Sequence, residues 1–150
     1  MLAAMACSRS PEEAQKKLAK QNIPLSGEAL LAKTKEGKSG QTAATMLAEA
    51  GVDPNSSQAN GMTALMSAAF NGQLETAAAL IARGADVNAS AREFTALGLA
   101  VERGDLKMAK LLLDHGANPA VRPGNAPSAI DKADEIGNRE MLGLLKARAK

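Results

Sequence analysis

The chain has 150 residues, of which 45% are hydrophobic and 1% aromatic, and its formal net charge at pH 7 is +2. This length suits one domain with an aliphatic core, and no apolar run approaches the roughly 18 residues of a membrane-spanning helix. Nucleic-acid binders usually combine a continuous basic stripe with stacking aromatic side chains. The sequence has neither, so we expect no nucleic-acid partner.

A small-residue apolar run near the start of the sequence ends on Cys7, the only cysteine of the chain. This run resembles the end of a bacterial lipoprotein signal, in which the cysteine is lipidated and becomes the first residue of the mature protein. A complete signal needs an apolar segment of about 7 to 15 residues. We therefore interpret residues 1–9 as a signal-peptide remnant. The alternative is a disordered N-terminus with an incidental thiol.

Residues 10–25 are predicted to form a capping helix. A serine, a proline and two glutamates occupy positions 10–13, an order typical of a helix N-terminus because it supplies a cap, a fixed φ angle and negative charge near the dipole. We expect the helix to end near Gln21, before Pro24.

Residues 26–57 carry a weaker copy of a pattern that recurs further along the chain. Positions 51–55 (Gly-Val-Asp-Pro-Asn) align with positions 84–88 (Gly-Ala-Asp-Val-Asn). The segment 37–51 is longer than the equivalent segment 72–84, so the turn between its two helices is not predicted.

Residues 58–89, 90–121 and 122–150 are successive copies of one pattern. Thr63 and Thr95 stand 32 positions apart, each before an Ala-Leu pair, and the last copy follows at a shift of 33. The threonine hydroxyls can cap a first helix. Glycines are expected to end the helices in the left-handed conformation; they are Gly72, Gly104 and Gly137 for the first helices, and Gly84 and Gly116 for the second.

These threonines, small alanines and glycines are similar to those of ankyrin repeats. The resemblance covers roughly residues 26–150 and implies an all-α ankyrin-repeat solenoid. We expect about four helix-turn-helix repeats with β-turn or hairpin connections, a helical N-terminal cap and a C-terminal capping repeat at 122–150. Residues 10–150 would then form a single domain.

The sequence offers no candidate catalytic residues, metal ligands or cofactor site. Residues 32–39 fit a loose form of the phosphate-binding loop, with Lys38 as its lysine, but the helix expected before them is the wrong context for it. His115 lacks partners for a metal or a proton-transfer site, and we expect it to be solvated or bonded to a carbonyl. Asn55 and Asn88 match the glycosylation sequon, yet both are expected to have structural roles in the turns.

The resemblance also implies where a protein partner binds. In ankyrin proteins the positions before the threonine, and seven and eight residues after it, generally face the concave groove and the turn tips. We predict that Phe70, Phe94 and Met62 form the apolar centre of a binding patch, with the two rings close together. The alternative is that the phenylalanines fill gaps between repeats. The full set of predicted partner-binding residues is Asn60, Met62, Phe70, Asn71, Arg92, Phe94, Glu102 and Arg103. The loops 56–59 and 121–125 are the second candidate surface.

The resemblance to small bacterial envelope proteins of this family implies a non-enzymatic protein-binding module. The specific expectation is a self-protection (immunity) inhibitor that occludes a periplasmic peptidoglycan peptidase, a DD-endopeptidase or carboxypeptidase. The alternatives are a partner or stabiliser of another periplasmic enzyme such as catalase, and a cytosolic scaffold. We expect a monomer before complex formation, no nucleotide ligand, and a periplasmic location with membrane attachment only through lipid on Cys7, or else a cytoplasmic location.

Overall fold

The computed structural model describes residues 10–149, so the segment 1–9, with the lipidation site predicted at Cys7, lies outside the described residues. The described chain folds into nine α-helices, one short 3-10 helix and one two-stranded hairpin. The helices are α1 (Pro11–Lys20), α2 (Gly27–Lys35), α3 (Gln41–Glu49), α4 (Ala64–Asn71), α5 (Leu74–Ala82), α6 (Ala96–Arg103), α7 (Leu106–Asp114), α8 (Ala129–Ile136) and α9 (Arg139–Arg148). The predicted all-α solenoid is confirmed.

The helices stack in two layers. Helices α2, α4, α6 and α8 form an inner layer in which each packs against the next, and α1, α3, α5, α7 and α9 form an outer layer with the same order. Helix α1 therefore occupies the place of an outer helix. Its buried side chains, Ala14 and Leu18, lie on the side that packs against α3.

Hydroxyl caps begin all four inner helices, and at α2 the cap is Ser26, whose Oγ accepts from Ala29 N at 3.2 Å. Thr63 Oγ1 accepts a hydrogen bond from Met66 N at 3.2 Å, and Thr95 Oγ1 accepts one from Gly98 N at 3.0 Å. Ser128 starts α8 in the same way. Because the first amides of a helix have no partner inside it, these caps fix where each inner helix begins.

The core consists of leucine, methionine and alanine side chains. Alanines 68 and 69 of α4 are fully buried, and their small size lets neighbouring helices approach closely. The largest fully buried apolar side chains are Leu18, Leu30, Leu47, Leu65, Met66, Leu80, Leu97, Met108, Leu112, Met141 and Leu145. They form one cluster that runs through all the described repeats.

The inter-helix turn that the sequence left open contains a 3-10 helix, Gly37–Ser39. The buried amide of Gln73 closes this turn, because its Nε2 donates to the carbonyl of Thr34 at 3.1 Å and to that of Gly37. Since helix α2 leads into the turn, residues 32–39 do not have the strand-to-helix context of a phosphate-binding loop.

Asparagine side chains join the turns of successive repeats. Asn55 accepts from Asp86 N at 2.9 Å and donates to the carbonyl of Gly84. One repeat later, Asn88 accepts from Asn118 N at 2.8 Å and donates to the carbonyl of Gly116. Both sequon asparagines therefore hold adjacent turns together, as the structural interpretation of these residues predicted.

A short hairpin precedes helix α6. Strand β1 (Ser90–Ala91) pairs antiparallel with strand β2 (Phe94–Thr95), and a single bridge between Ser57 and Thr63 marks the equivalent place one repeat earlier. The hairpin directs residues 92 and 93 outward, and both are exposed.

Candidate functional site

The predicted binding residues lie where the inner helices end and on the turns that precede these helices. We call this surface the inner face; it comprises residues 60–62, 70–71, 92–94, 102–103, 126–127 and 135–136. Five predicted residues are exposed and three are half-buried. The exposed ones are Asn60, Phe70, Arg92, Glu102 and Arg103, and the half-buried ones are Met62, Asn71 and Phe94. That these residues contact a partner stays a prediction.

Two polar residues of the inner face close the ends of preceding inner helices. Asn71 Nδ2 donates to the carbonyl of Thr34 at 2.8 Å, and Arg103 Nη1 donates to the carbonyl of Phe70 at 3.2 Å. The two residues occupy equivalent positions in successive repeats. Each donor satisfies a carbonyl at a helix C-terminus, where positive charge is also favourable. The polar part of the inner face is therefore held in place by the solenoid itself.

Gly72 makes room for the arginine. Its φ angle of +69° places it in the left-handed region, and a Cβ atom there would lie 2.7 Å from Arg103 Nε. A side chain at this position would displace the guanidinium, so Gly72 serves both the helix end and the contact between repeats.

Phe70 is the most exposed large hydrophobic residue of the inner face, with 58% of its surface accessible. It stands at the end of α4, where positions 64–69 are all buried. Burying such a ring against a partner would stabilise a complex by the hydrophobic effect.

Ile136 is a second exposed apolar residue on this surface, and sequence reasoning missed it. It is 54% accessible and ends α8 at the position that Asn71 and Arg103 occupy in earlier repeats. The repeat register could have identified it from the sequence. The equivalent position carries a hydrogen-bond donor in each of the two earlier repeats, and an isoleucine stands there in the last one.

Phe94 contacts the following repeat. The ammonium of Lys132 lies 5.8 Å from the centroid of its ring, and the same ammonium forms an ion pair with Glu102. The contact of the Phe94 ring that the structure shows is with Lys132. That the rings of Phe70 and Phe94 lie together stays a prediction. Phe94 also packs against the core, so it partly fills the gap between repeats.

Gly98 lies between the Thr95 cap and Lys132. A Cβ atom at Gly98 would be in tight contact with Thr95 Oγ1, at 3.1 Å, and in ordinary contact with Lys132 Nζ, at 3.6 Å. The lysine is buried, and its charge is compensated by the carboxylate of Glu102 and the face of an aromatic ring.

An open depression lies between the last two repeats of the inner face, with a volume of about 320 Å³. Phe94, Pro127 and Ile136 supply its apolar lining, together with Ala126. Glu93, Glu102 and Glu135 supply carboxylates, with Lys132 as the one ammonium.

The remaining predicted inner-face residues lie on turns. Asn60 Oδ1 accepts from Met62 N at 3.0 Å, which fixes the turn before α4. Arg92 adopts a φ angle of +53°, in the left-handed region that residues with side chains seldom enter. Both residues are exposed, so these turns project polar groups beside the apolar part of the face.

The loops of the second candidate surface are also ordered by hydrogen bonds. Gln58 N donates to the carbonyl of Met62 at 2.9 Å, which ties the loop 56–59 to the turn before α4. In the loop 121–125, Arg122 pairs with Asp131 at 2.7 Å. These contacts attach both loops to the starts of inner helices.

The other chemically interesting residues have structural surroundings. His115 is the C-cap residue that follows α7, and its Nδ1 lies 2.9 Å from the carbonyl of Leu111, as the carbonyl-bonded interpretation predicted. Across residues 10–149 no three His, Cys, Asp or Glu side chains are grouped so as to hold a metal ion. None of the helices in this range combines the length and hydrophobicity of a membrane span.

The family model for ankyrin repeats matches residues 30–122, in three copies. A Treponema pallidum protein described as containing ankyrin repeats is 37% identical over 99 residues, which cover 65% of this chain and 33% of that protein. The ankyrin repeat and KH domain-containing protein mask-1 of Caenorhabditis elegans is 33% identical over 98 residues. The E3 ubiquitin-protein ligase Ufd4 of Drosophila melanogaster is 36% identical over 100 residues.

The alignments cover 64% of this chain for mask-1 and 65% for Ufd4, but only 4% of either relative. The chain therefore spans a third or less of these relatives, and the similarity is to their ankyrin segments. Together with the stacked helix pairs, their threonine caps and their glycine ends, the match over residues 30–122 establishes the family. The chain belongs to the ankyrin-repeat family.

Proposed function

We propose that the chain acts by binding one protein partner at the inner face, with the exposed ring of Phe70 at the centre of the contact. Ankyrin repeats are protein-protein interaction modules, so the class of function follows from the family. The observation that carries the choice of surface is the 58% exposure of Phe70, near the end of a helix whose six preceding residues are buried.

The surroundings of Phe70 match those of an interface hot spot. Large aromatic side chains with an arginine nearby often contribute most of the binding energy, provided that both are held in place before the partner arrives. Here Arg103 is fixed by its hydrogen bond to the carbonyl of Phe70 itself. The arginine side chain would therefore lose little conformational entropy on binding.

For the specific role, the proposal is a self-protection inhibitor that occludes a peptidoglycan peptidase in the periplasm. The lipoprotein-like run that ends at Cys7 and the resemblance to small bacterial envelope ankyrin proteins support this role. A rigid face tethered to the membrane by lipid would suit the occlusion of an enzyme that works at the cell wall. Stabilisation of a periplasmic catalase and a cytosolic scaffold are the competing roles.

The test of the surface compares an alanine substitution of Phe70 with an alanine substitution of an exposed residue on an outer helix. Phe70→Ala should weaken the affinity for a partner captured from the envelope of the native cell by about 30-fold, corresponding to about 2 kcal/mol. Lys110→Ala is the control, because Lys110 is exposed on the outer helix α7, away from the inner face. Unchanged affinity in a Phe70→Ala, Phe94→Ala double variant would refute the proposed surface.

The test of the role identifies the captured partner by mass and assays it. A peptidoglycan peptidase whose activity falls in proportion to added chain, with lipid found on Cys7 of the mature protein, is the expected result. A captured catalase, or a protein without lipid that stays in the cytosol, would support the competing roles instead.

A further inference from the structure

The depression between the last two repeats combines an apolar lining with a rim of carboxylates, which the rest of the inner face lacks. Its apolar side includes the ring of Phe94 and the exposed side chain of Ile136, and its rim carries Glu93, Glu102 and Glu135. One repeat earlier, the uncharged residues Gly61 and Phe70 stand at the equivalents of Glu93 and Glu102, and the equivalent of Glu135 is Glu102 itself. The negative charge is therefore confined to one end of the inner face.

The molecule already places one cation in this setting. Lys132 reaches from α8 so that its ammonium lies over the ring of Phe94 and pairs with the carboxylate of Glu102. This internal contact shows that an aromatic face and a glutamate here can hold a positively charged group. It also neutralises Glu102, which leaves the other two carboxylates for an outside ligand.

Glu93 and Glu135 have no ion-pair partner within residues 10–149. Of the arginines near the depression, Arg103 donates to the carbonyl of Phe70 and Arg122 pairs with Asp131. Arg92 precedes Glu93 in the sequence but does not line the depression and forms no ion pair with residues 10–149. The depression therefore presents two uncompensated carboxylates beside an apolar wall.

We propose that this depression receives a basic side chain, arginine or lysine, from a protein partner bound at the inner face. Such a side chain has an aliphatic stem that would lie against Phe94 and Ile136, and a cationic head that would reach Glu93 and Glu135. The inference rests on the proposed binding role of the inner face and adds the chemistry of the partner, which carries positive charge where it meets the last repeats.

The test uses the full chain labelled with ¹⁵N and two small probes. N-acetyl-arginine amide carries the cation, and N-acetyl-citrulline amide has nearly the same shape without charge. At low ionic strength the arginine probe should give saturable shifts of the backbone amides of Phe94, Ala126 and Glu135. It should bind about fivefold more tightly than the citrulline probe, as expected for an ion pair at a partly exposed site.

A Glu93→Gln, Glu135→Gln double variant should bind both probes equally, whereas Asp134→Asn should keep the preference for arginine. Asp134 is a matched control, because it is exposed on the same helix but does not line the depression. Equal binding of the two probes by the native chain, shifts confined to other surfaces, no shift up to the solubility limit, or an unaltered preference in the double variant would overturn the inference. None of these results would alter the Phe70→Ala test, so the two proposals can fail separately.

Discussion

Ser128 and Asp131 form a reciprocal cap at the start of α8. The hydroxyl of Ser128 accepts from Asp131 N at 3.2 Å, while Asp131 Oδ2 accepts from Ser128 N at 3.0 Å and from its hydroxyl at 2.8 Å. The hydrogen bond from the Ser128 backbone is the main cause that lowers the pKa of Asp131 from its ordinary value of 3.8, with help from the Ser128 hydroxyl and the nearby Arg122. The charged form of this carboxylate therefore stabilises the fold.

The cap leads to a prediction for a single residue, the pH dependence of the stability that Asp131 contributes. Because the pKa of Asp131 is lower in the folded state, its contribution is present above about pH 4 and is lost as the pH falls through the folded value. Asp131→Asn should lower the free energy of unfolding in urea at pH 7, and the difference from the native chain should shrink at more acidic pH. Asp134→Asn, which removes an exposed charge outside the cap, should give no such pH-dependent difference. A constant difference across the acid range would contradict the assignment.

At the scale of the structural element, Asn88 connects two repeats. Its side chain accepts one hydrogen bond from the following turn and donates another to it. Removing both hydrogen bonds should cost about 1 to 2 kcal/mol in the free energy of unfolding. Asn88→Ala followed by urea denaturation measures this cost. Asn125→Ala is the matched control, since Asn125 is an exposed turn asparagine whose side chain makes no hydrogen bond with residues 10–149, and it should change the free energy by less than about 0.5 kcal/mol. Equal effects of the two substitutions would show that the asparagine bridges add no stability.

The ends of the helices were predictable from the sequence because the interactions that set them are local. Thr63 caps an amide only three residues away, and Gly72 takes a conformation that its own lack of a side chain permits. The turn containing the 3-10 helix Gly37–Ser39 was not predictable, because Gln73, from the next repeat, closes it.

At the scale of the whole molecule, the last repeat differs from the others in its outward surface. Val101 on α6 and Leu113 on α7 are buried where α8 and α9 stack on these helices. Their equivalents one repeat later are Asp134 and Lys146, which are exposed. These charged residues prevent the open end of the helix stack from presenting an apolar surface.

Asp134→Val combined with Lys146→Leu should therefore make the protein self-associate. The two substitutions restore the apolar side chains of an internal repeat, which would be buried by contact with a second molecule. Sedimentation velocity over a range of concentrations should show a rising average mass. An Asp134→Asn, Lys146→Gln variant removes the same charges without adding apolar surface and should sediment as the native chain does. A double variant that remains monomeric at every concentration would show that the charges do not protect this end.

The sequence by itself determined the repeats, the helix caps, the glycine ends and hence the family. These features depend on residues within one or two turns of each other, and the pattern recurs in register. The sequence also placed Phe70 and Arg103 on one surface, because repeat register fixes which positions face outward.

Only the tertiary structure decided which residues of that surface contact another repeat and which stay exposed. Lys132 approaches Phe94 and Glu102 from a later repeat. The exposure of Ile136 likewise depends on how α8 packs against α6. Such contacts join residues about thirty or more positions apart, and their geometry is set by how the helix pairs stack, which no local pattern specifies.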